Sequence, residues 1–80
     1  MDITSFRLKE FSERADAIYQ KIRQELELKY KGKIVAIEPE SGDYFLGTDV
    51  QEAFEKGRAQ HPGKPFHFIR VGYPGVYVKY

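Results

Sequence analysis

The chain has 80 residues, of which 41% are hydrophobic and 31% charged, a balance that excludes a disordered chain of low hydrophobicity. It has no cysteine, which excludes disulfide frameworks and thiolate metal sites and leaves the redox compartment open. Six Tyr and six Phe make up 15% of the residues, so a large ring surface must be packed within a single small domain, residues 1–80.

The net charge of +1 conceals an uneven distribution along the chain. Residues 1–33 carry eight Lys/Arg against six Asp/Glu, residues 34–63 two against six, and residues 64–80 three against none. A face that neutralises phosphates needs a larger and more clustered excess, so nucleic acid is the less favoured main ligand. Charged residues interrupt the amino terminus and no run of 18 apolar residues occurs, which predicts a soluble cytoplasmic protein without a membrane partner.

Residues 5–30 contain no Gly or Pro and predict a long helix that ends at Gly32, so that residues 1–32 form an N-terminal helix and residues 33–80 a ββαββ unit. Its apolar stripe has helical spacing and comprises Leu8, Phe11, Ala15, Ile18, Ile22 and Leu26. The stripe follows a heptad pattern for two repeats before it shifts. It therefore fits a helix lying on the domain's own core or one that also pairs with a second copy, and the residues predicted for a dimer interface are Phe11, Ile18 and Ile22.

The segment 33–47 predicts a β-hairpin. Lys33–Glu38 is rich in β-branched residues, Pro39 ends it, and Gly42 is free to take positive φ in the turn. Tyr44–Gly47 is the returning strand.

A second helix is predicted to begin near Val50, because Thr48 with Gln51 and Asp49 with Glu52 both have capping-box spacing. The His-Pro-Gly segment 61–63 ends it. Its inward stripe consists of small and apolar residues, which suit close packing on a sheet: Val50, Ala53, Phe54 and Gly57.

The last seventeen residues predict a strand from Phe66 to Gly72, a type II turn over residues 73–76 and a final strand to Tyr80. An extended arm is the alternative to this last hairpin.

The predicted fold class is α+β: an N-terminal helix followed by β-β-α-β(-β), with a four-stranded, mainly antiparallel sheet in the order 2-1-3-4. Both helices are expected on one face of this sheet. Since strands such as "PFHFIRV" carry bulky groups on both sides, the other face would be apolar and need a cover, which predicts a homodimer.

The residues with catalytic chemistry lack the partners that such chemistry needs. Neither His61 nor His67 has metal-ligand spacing with a carboxylate, and no nucleophile elbow surrounds Ser5, Ser12 or Ser41. We therefore predict no enzyme activity, catalytic residue, metal or cofactor.

Residues 30–71 contain a series of short signals: "YKGKIVA", a turn glycine, Gly47 and Thr48, "EA" at residues 52–53, Lys56 and a closing "RV". This series resembles a short prokaryotic domain of unknown function, whose usual pattern is Y-x-G-K-W-V-A, a turn, a strand, T-x-x-E-A-x-x-K-A and a last strand ending near R-V. The chain departs from that pattern at Ile34, where the family often has Trp, and at Gly57, where it often has Ala. The resemblance implies a fold and no catalytic residue, because the family has no established activity.

The junction between the second strand and the second helix is also similar to that of HicB-type antitoxins, which reads Gly-x-Thr-x-x-Glu-Ala. The residues that carry this similarity are Gly47, Thr48, Gln51, Glu52 and Ala53.

These features predict a non-enzymatic, homodimeric protein–protein interaction module, such as an antitoxin or adaptor. It would bind another protein through its N-terminal helix or through its acidic middle segment. In the second case the residues that meet a basic partner would be Glu38, Glu40, Asp43 and Glu55. The alternative is a nucleic-acid-binding module that uses the basic and aromatic C-terminal strands, through Lys64, Arg70, Tyr77 and Lys79.

Overall fold

A computed structural model describes the backbone of residues 3–73 and 76–79 and the side chains of residues 9–73. Within these residues the chain forms, in order, α1 (Ile3–Tyr30), β1 (Ile34–Ile37), β2 (Tyr44–Gly47), α2 (Val50–Gln60), β3 (Phe66–Arg70) and β4 (Val76–Lys79). Among the described residues, neither α1 nor α2 has the combination of length and hydropathy that a membrane-spanning helix requires.

Local signals in the sequence fix the ends of the helices. Gly32 has φ of 92°, a left-handed conformation that turns the chain after α1 and that a side chain would strain. At the start of α2, Asp49 is the N-cap: its Oδ1 accepts the N–H of Glu52 at 2.8 Å. Glu52 Oε1 in turn accepts the N–H of Thr48 at 2.7 Å. Of the two predicted capping boxes, the structure therefore uses Asp49 with Glu52.

The sheet is antiparallel, and the predicted order 2-1-3 is confirmed. β1 pairs with β2 from Ile34↔Gly47 to Ile37↔Tyr44, and with β3 from Ile34↔Arg70 to Ile37↔His67. The backbone of β4 lies antiparallel to β3, as in the predicted last hairpin and not as in the alternative of an extended arm. Pro74 and Gly75 of the predicted turn lie outside the described residues.

The prediction that both helices lie on one face of the sheet is wrong. The residues of β1 are all buried and alternate between two clusters. Val35 and Ile37 belong to a cluster with Ala15, Tyr19 and Leu26 of α1. The opposite cluster combines residues of the sheet with Ala53 of α2, the sheet members being Ile34, Ala36, Phe66 and Phe68. The sheet thus lies between the two helices.

This arrangement removes the premise of the predicted homodimer. The strands are apolar on both sides, as expected, but α1 of the same chain covers the face that was assigned to a second copy. The homodimer stays a prediction, which light scattering at high protein concentration would test.

Candidate functional site

The loop tip comprises residues 38–43 between β1 and β2, with His61 and Lys64 of the segment joining α2 to β3. Its organising residue is Glu38, which is 2% exposed. The Glu38 carboxylate accepts the N–H of Ser41 at 2.7 Å and the N–H of Glu40 at 3.2 Å. Glu38 therefore holds the loop in its own conformation and does not face solvent.

The pKa of Glu38 reflects this environment. Burial alone would raise the pKa of this carboxyl, but hydrogen bonds from Ser41 and from the N–H of Glu40 favour its charged form, as does nearby His61 to a smaller extent. The net effect lowers the pKa of Glu38 below its ordinary value. The charged carboxylate is thus part of the folded loop.

The other residues of the predicted acidic patch are paired within the chain. Glu40 Oε2 lies 3.1 Å from Lys64 Nζ, and Asp43 Oδ2 lies 2.8 Å from His61 Nε2. Glu55 Oε2, on α2, lies 2.9 Å from an Arg58 nitrogen. Glu40 and Asp43 thus contact basic residues of the segment that joins α2 to β3, while Glu55 contacts a residue of its own helix. Binding of a basic partner at the loop tip stays a prediction.

Ser41, His61 and Asp43 come together at the loop tip without forming a catalytic triad. Ser41 Oγ lies 3.5 Å and Asp43 Oδ2 lies 2.8 Å from the same ring nitrogen, His61 Nε2. A triad needs the carboxylate on one imidazole nitrogen and the nucleophile on the other, so that the base can take a proton from the hydroxyl. Ser41 Oγ also accepts the N–H of Asp43, which fits a turn-forming serine.

A second polar surface, not recognised in the sequence, lies where α1 joins β1 and β3 ends. We use the name basic corner for the exposed residues of the two segments that backbone hydrogen bonds join at this junction: Tyr30, Lys31, Lys33, Arg70 and Tyr73. Lys31 Nζ lies 5.8 Å from the centre of the Tyr73 ring. None of its three cations has a carboxylate within 4 Å among the described residues. Tyr73 is 51% and Tyr30 39% exposed.

Backbone hydrogen bonds hold the two segments of the basic corner against each other. The N–H of Gly32 donates to Val71 O at 2.8 Å, and the N–H of Val71 donates to Lys33 O at 2.8 Å. Arg70 Nη1 donates to Gly32 O at 3.2 Å. The cations therefore project from a braced junction rather than from a free terminus.

The residues predicted to bind nucleic acid do not lie together in the structure. Lys64 precedes β3 and Arg70 ends it, so about 20 Å of extended chain separates them. Lys64 is paired with Glu40, while Arg70 belongs to the basic corner. The side chains of Tyr77 and Lys79 lie outside the described residues. Nucleic-acid binding itself stays a prediction.

The residues predicted for a dimer interface lie on the side of α1 that meets the sheet. Ile18 and Ile22 are partly buried and pack against the cluster beneath α1. The Phe11 ring has its centre 5.8 Å from that of His67. Their packing is accounted for within one chain, and a further role in dimerisation stays a prediction.

His67, in the middle of β3, is buried: the residue is 1% exposed. The spacing in the sequence indicates this burial. His67 lies two and four residues before Ile69 and Val71, so the alternation of a strand places all three on one face, and Ile69 and Val71 are buried in the cluster beneath α1. No group of three or more metal-ligating side chains occurs in the described part of the chain.

Comparisons with known proteins add no relative. No protein-family model, no curated protein and no solved structure matches the chain. The resemblances to the short prokaryotic domain and to HicB-type antitoxins therefore stay predictions.

Proposed function

We propose that the protein is a non-enzymatic interaction module that binds an acidic segment of another protein at the basic corner. The observation that supports this choice is the contrast between the two polar surfaces. The exposed acids of the loop tip, Glu40 and Asp43, contact Lys64 and His61, whereas no carboxylate lies within 4 Å of the three cations of the basic corner among the described residues. An antitoxin or an adaptor is compatible with such a role.

The composition of the basic corner suits a protein partner. Tyr and Arg are the residue types that contribute most often to binding energy at protein interfaces, because they combine a large apolar surface with hydrogen-bond donors. Arg70 offers a planar guanidinium that can bind a carboxylate through two parallel hydrogen bonds. Since the backbone of the corner is already braced, little chain entropy would be lost on binding.

The test is a binding titration with a defined probe. A fluorescein-labelled dodecapeptide of alternating Glu and Gly should bind the wild-type protein, and its fluorescence anisotropy should rise with protein concentration at about 0.15 M salt. The double variant Lys31→Glu/Lys33→Glu should lose this binding by at least about tenfold, because each reversal replaces an attraction with a repulsion.

A matched control separates the site from the net charge. Lys9→Glu/Lys21→Glu makes the same change in charge at two exposed positions on α1, away from the basic corner. It should leave most of the binding in place. Equal loss in the two double variants, or no binding by the wild-type protein, would contradict the proposal.

Single-stranded nucleic acid is the second candidate, and the Lys31–Tyr73 contact favours it. A half-exposed ring with a cation beside it is the combination that stacks a base and neutralises its phosphate. With three cations, the logarithm of affinity should fall against the logarithm of salt concentration with a slope of about −2. A labelled dT12 oligonucleotide that binds more tightly than the acidic peptide, and that loses affinity in Tyr73→Ser, would favour this candidate over the first.

A further inference from the structure

His67 is a polar side chain in an apolar position beneath α1. It is paired with Ile37 of β1 and with Val78 of β4, and Ile37 is paired with Tyr44 of β2. Neither ring nitrogen of His67 has a hydrogen-bond partner among the described residues. A buried polar group in this state costs free energy, and a protonated imidazole in the same place costs more.

The charged and titratable groups around His67 offset little of the cost of burying a protonated imidazole. From α1, Asp16 Oδ1 lies 3.8 Å from His67 Nε2, too far for a hydrogen bond, and its side chain is 61% exposed. From the sheet, the cross-strand neighbour of His67 on β1 is the apolar Ile37. The neighbour of Ile37 on β2 is Tyr44, whose phenol is the first titratable group in that direction. The side chains of β4 lie outside the described residues. Burial lowers the pKa of His67, and Asp16 offsets part of this effect.

The two halves of α1 are held differently. The carboxyl-terminal half is anchored by Leu26, which is 2% exposed, and by Tyr19, whose hydroxyl accepts the N–H of Gly72 at 3.5 Å. The amino-terminal half, residues 9–18, contributes the small buried Ala15 to the same cluster and lies over His67 through Phe11 and Asp16. A change in the charge of His67 therefore acts on the amino-terminal half.

We propose that residues 9–18 of α1 form an acid-sensitive cover over the sheet, which opens when His67 takes up a proton. In the open form the imidazole reaches water and can carry its charge without the cost of burial. Opening uncovers the apolar face beneath α1 while α2 stays in place on the other face. This inference does not depend on the basic corner.

The direction of the pH effect follows from the lowered pKa of His67. When the pKa of a group is lower in the closed form than in the open form, the open form binds more protons. The cover is then fully stable above the ordinary histidine pKa of about 6.5 and loses stability as the pH falls below it. One proton can reduce the closed-to-open ratio by up to about tenfold per pH unit in this range.

Amide hydrogen exchange followed by mass spectrometry tests the cover in the intact chain. Between pH 7.5 and pH 5.5, after correction for the intrinsic exchange rate, the protection of residues 9–18 should fall by up to about tenfold. The protection of α2, residues 50–60, should change much less, because that helix packs on the opposite face. An equal fall in both segments would overturn the proposal, since it would indicate global unfolding.

Three variants assign the effect to His67. His67→Phe keeps a ring and cannot be protonated, so the acid-induced loss of protection in residues 9–18 should disappear. Asp16→Asn removes the carboxylate that favours the charged imidazole and should make the loss larger. His61→Gln, which changes the other histidine, should leave it unaltered. If His67→Phe does not fold, the larger loss in Asp16→Asn beside the unaltered loss in His61→Gln still decides, and an unchanged response in Asp16→Asn would overturn the proposal.

Discussion

The two faces of the sheet are packed in different ways. Beneath α2 the contacts are aromatic: the Phe54 ring stands at 90° to the Phe66 ring with centres 5.9 Å apart, and Phe45 meets Phe66 at 80° and 6.3 Å. Beneath α1 the cluster is mainly aliphatic and also contains a buried imidazole. Edge-to-face rings fix distance and angle more narrowly than aliphatic contacts do. We therefore expect α2 to be held in a narrower range of positions on the sheet than α1, and α1 to separate from the sheet more readily than α2.

Two glycines show how closely α2 approaches the sheet. A Cβ at Gly57 would lie 2.6 Å from Cε1 of Phe66, and a Cβ at Gly47 would lie 2.5 Å from the backbone nitrogen of Ala53. Real Cβ atoms do not approach other atoms so closely, which means that α2 reaches this position only because both residues lack a side chain. The departure from Ala at position 57 in the resembled pattern thus has a physical reason in this chain.

The largest expected effect is that of Phe66→Ala. This change removes a fully buried ring that contacts Phe45, Phe54 and Phe68, and should lower the free energy of unfolding by about 3–5 kcal/mol. Leu26→Ala is the matched deletion on the α1 face and should cost less than Phe66→Ala, within the range of about 2–5 kcal/mol that is usual for Leu→Ala in a core. Urea denaturation of both variants provides the comparison. A larger loss in Leu26→Ala would show that α1, and not α2, has the tighter packing.

Gly57→Ala should have a smaller destabilising effect. Replacing Gly in a helix gains about 1 kcal/mol, but displacement of the Phe66 ring should cost about 1–3 kcal/mol and exceed that gain. Phe66→Leu makes room, so the double variant should lose less stability than the sum of the two single changes. Ala59→Gly, at an exposed position on the same helix, controls for helix propensity. A stabilised Gly57→Ala would contradict the close approach of α2.

Local signals predicted the elements of this fold, but not how they are layered. Capping by Asp49 and the turn at Gly32 depend on neighbours in sequence, and both are found in the structure. The strand "KIVAIE" is apolar on both sides, a pattern that α1 or a second copy could satisfy equally well. The choice depends on how residues 31–33 direct the chain from α1 into β1, and an amphipathic stripe does not encode that direction.

The candidate surfaces were harder to predict for a related reason. The pairs Asp43–His61 and Glu40–Lys64 join residues 18 and 24 positions apart, so a charge count by segment does not show which acids have partners in the folded chain. Arg70 reaches the turn after α1 across 38 positions. The sequence places Lys31 at the end of the N-terminal helix and Lys33 at the start of the first strand, and the basic corner becomes visible only in three dimensions.

The smallest change in stability is expected for substitutions at the loop tip, which lies beyond the end of β1 and outside the two packed faces of the sheet. Because the pKa of Glu38 is lowered on folding, its charged form stabilises the protein above the ordinary carboxyl pKa of about 4.5, and this stabilisation is lost as the pH falls through the lowered value. Glu38→Gln keeps an acceptor but no charge, so it should lower the free energy of unfolding by about 1 kcal/mol at pH 7, the difference between a charged and a neutral hydrogen bond. Because the variant has no carboxyl to protonate at this position, it should also lose less stability than the wild-type protein between about pH 5 and pH 3. Glu40→Gln, which changes an exposed ion pair with Lys64, should have a smaller effect. If thermal unfolding at pH 7 shows equal shifts for the two variants, the buried carboxylate does not organise the loop, and the tip would be an ordinary solvated turn whose acids are free to meet a basic partner.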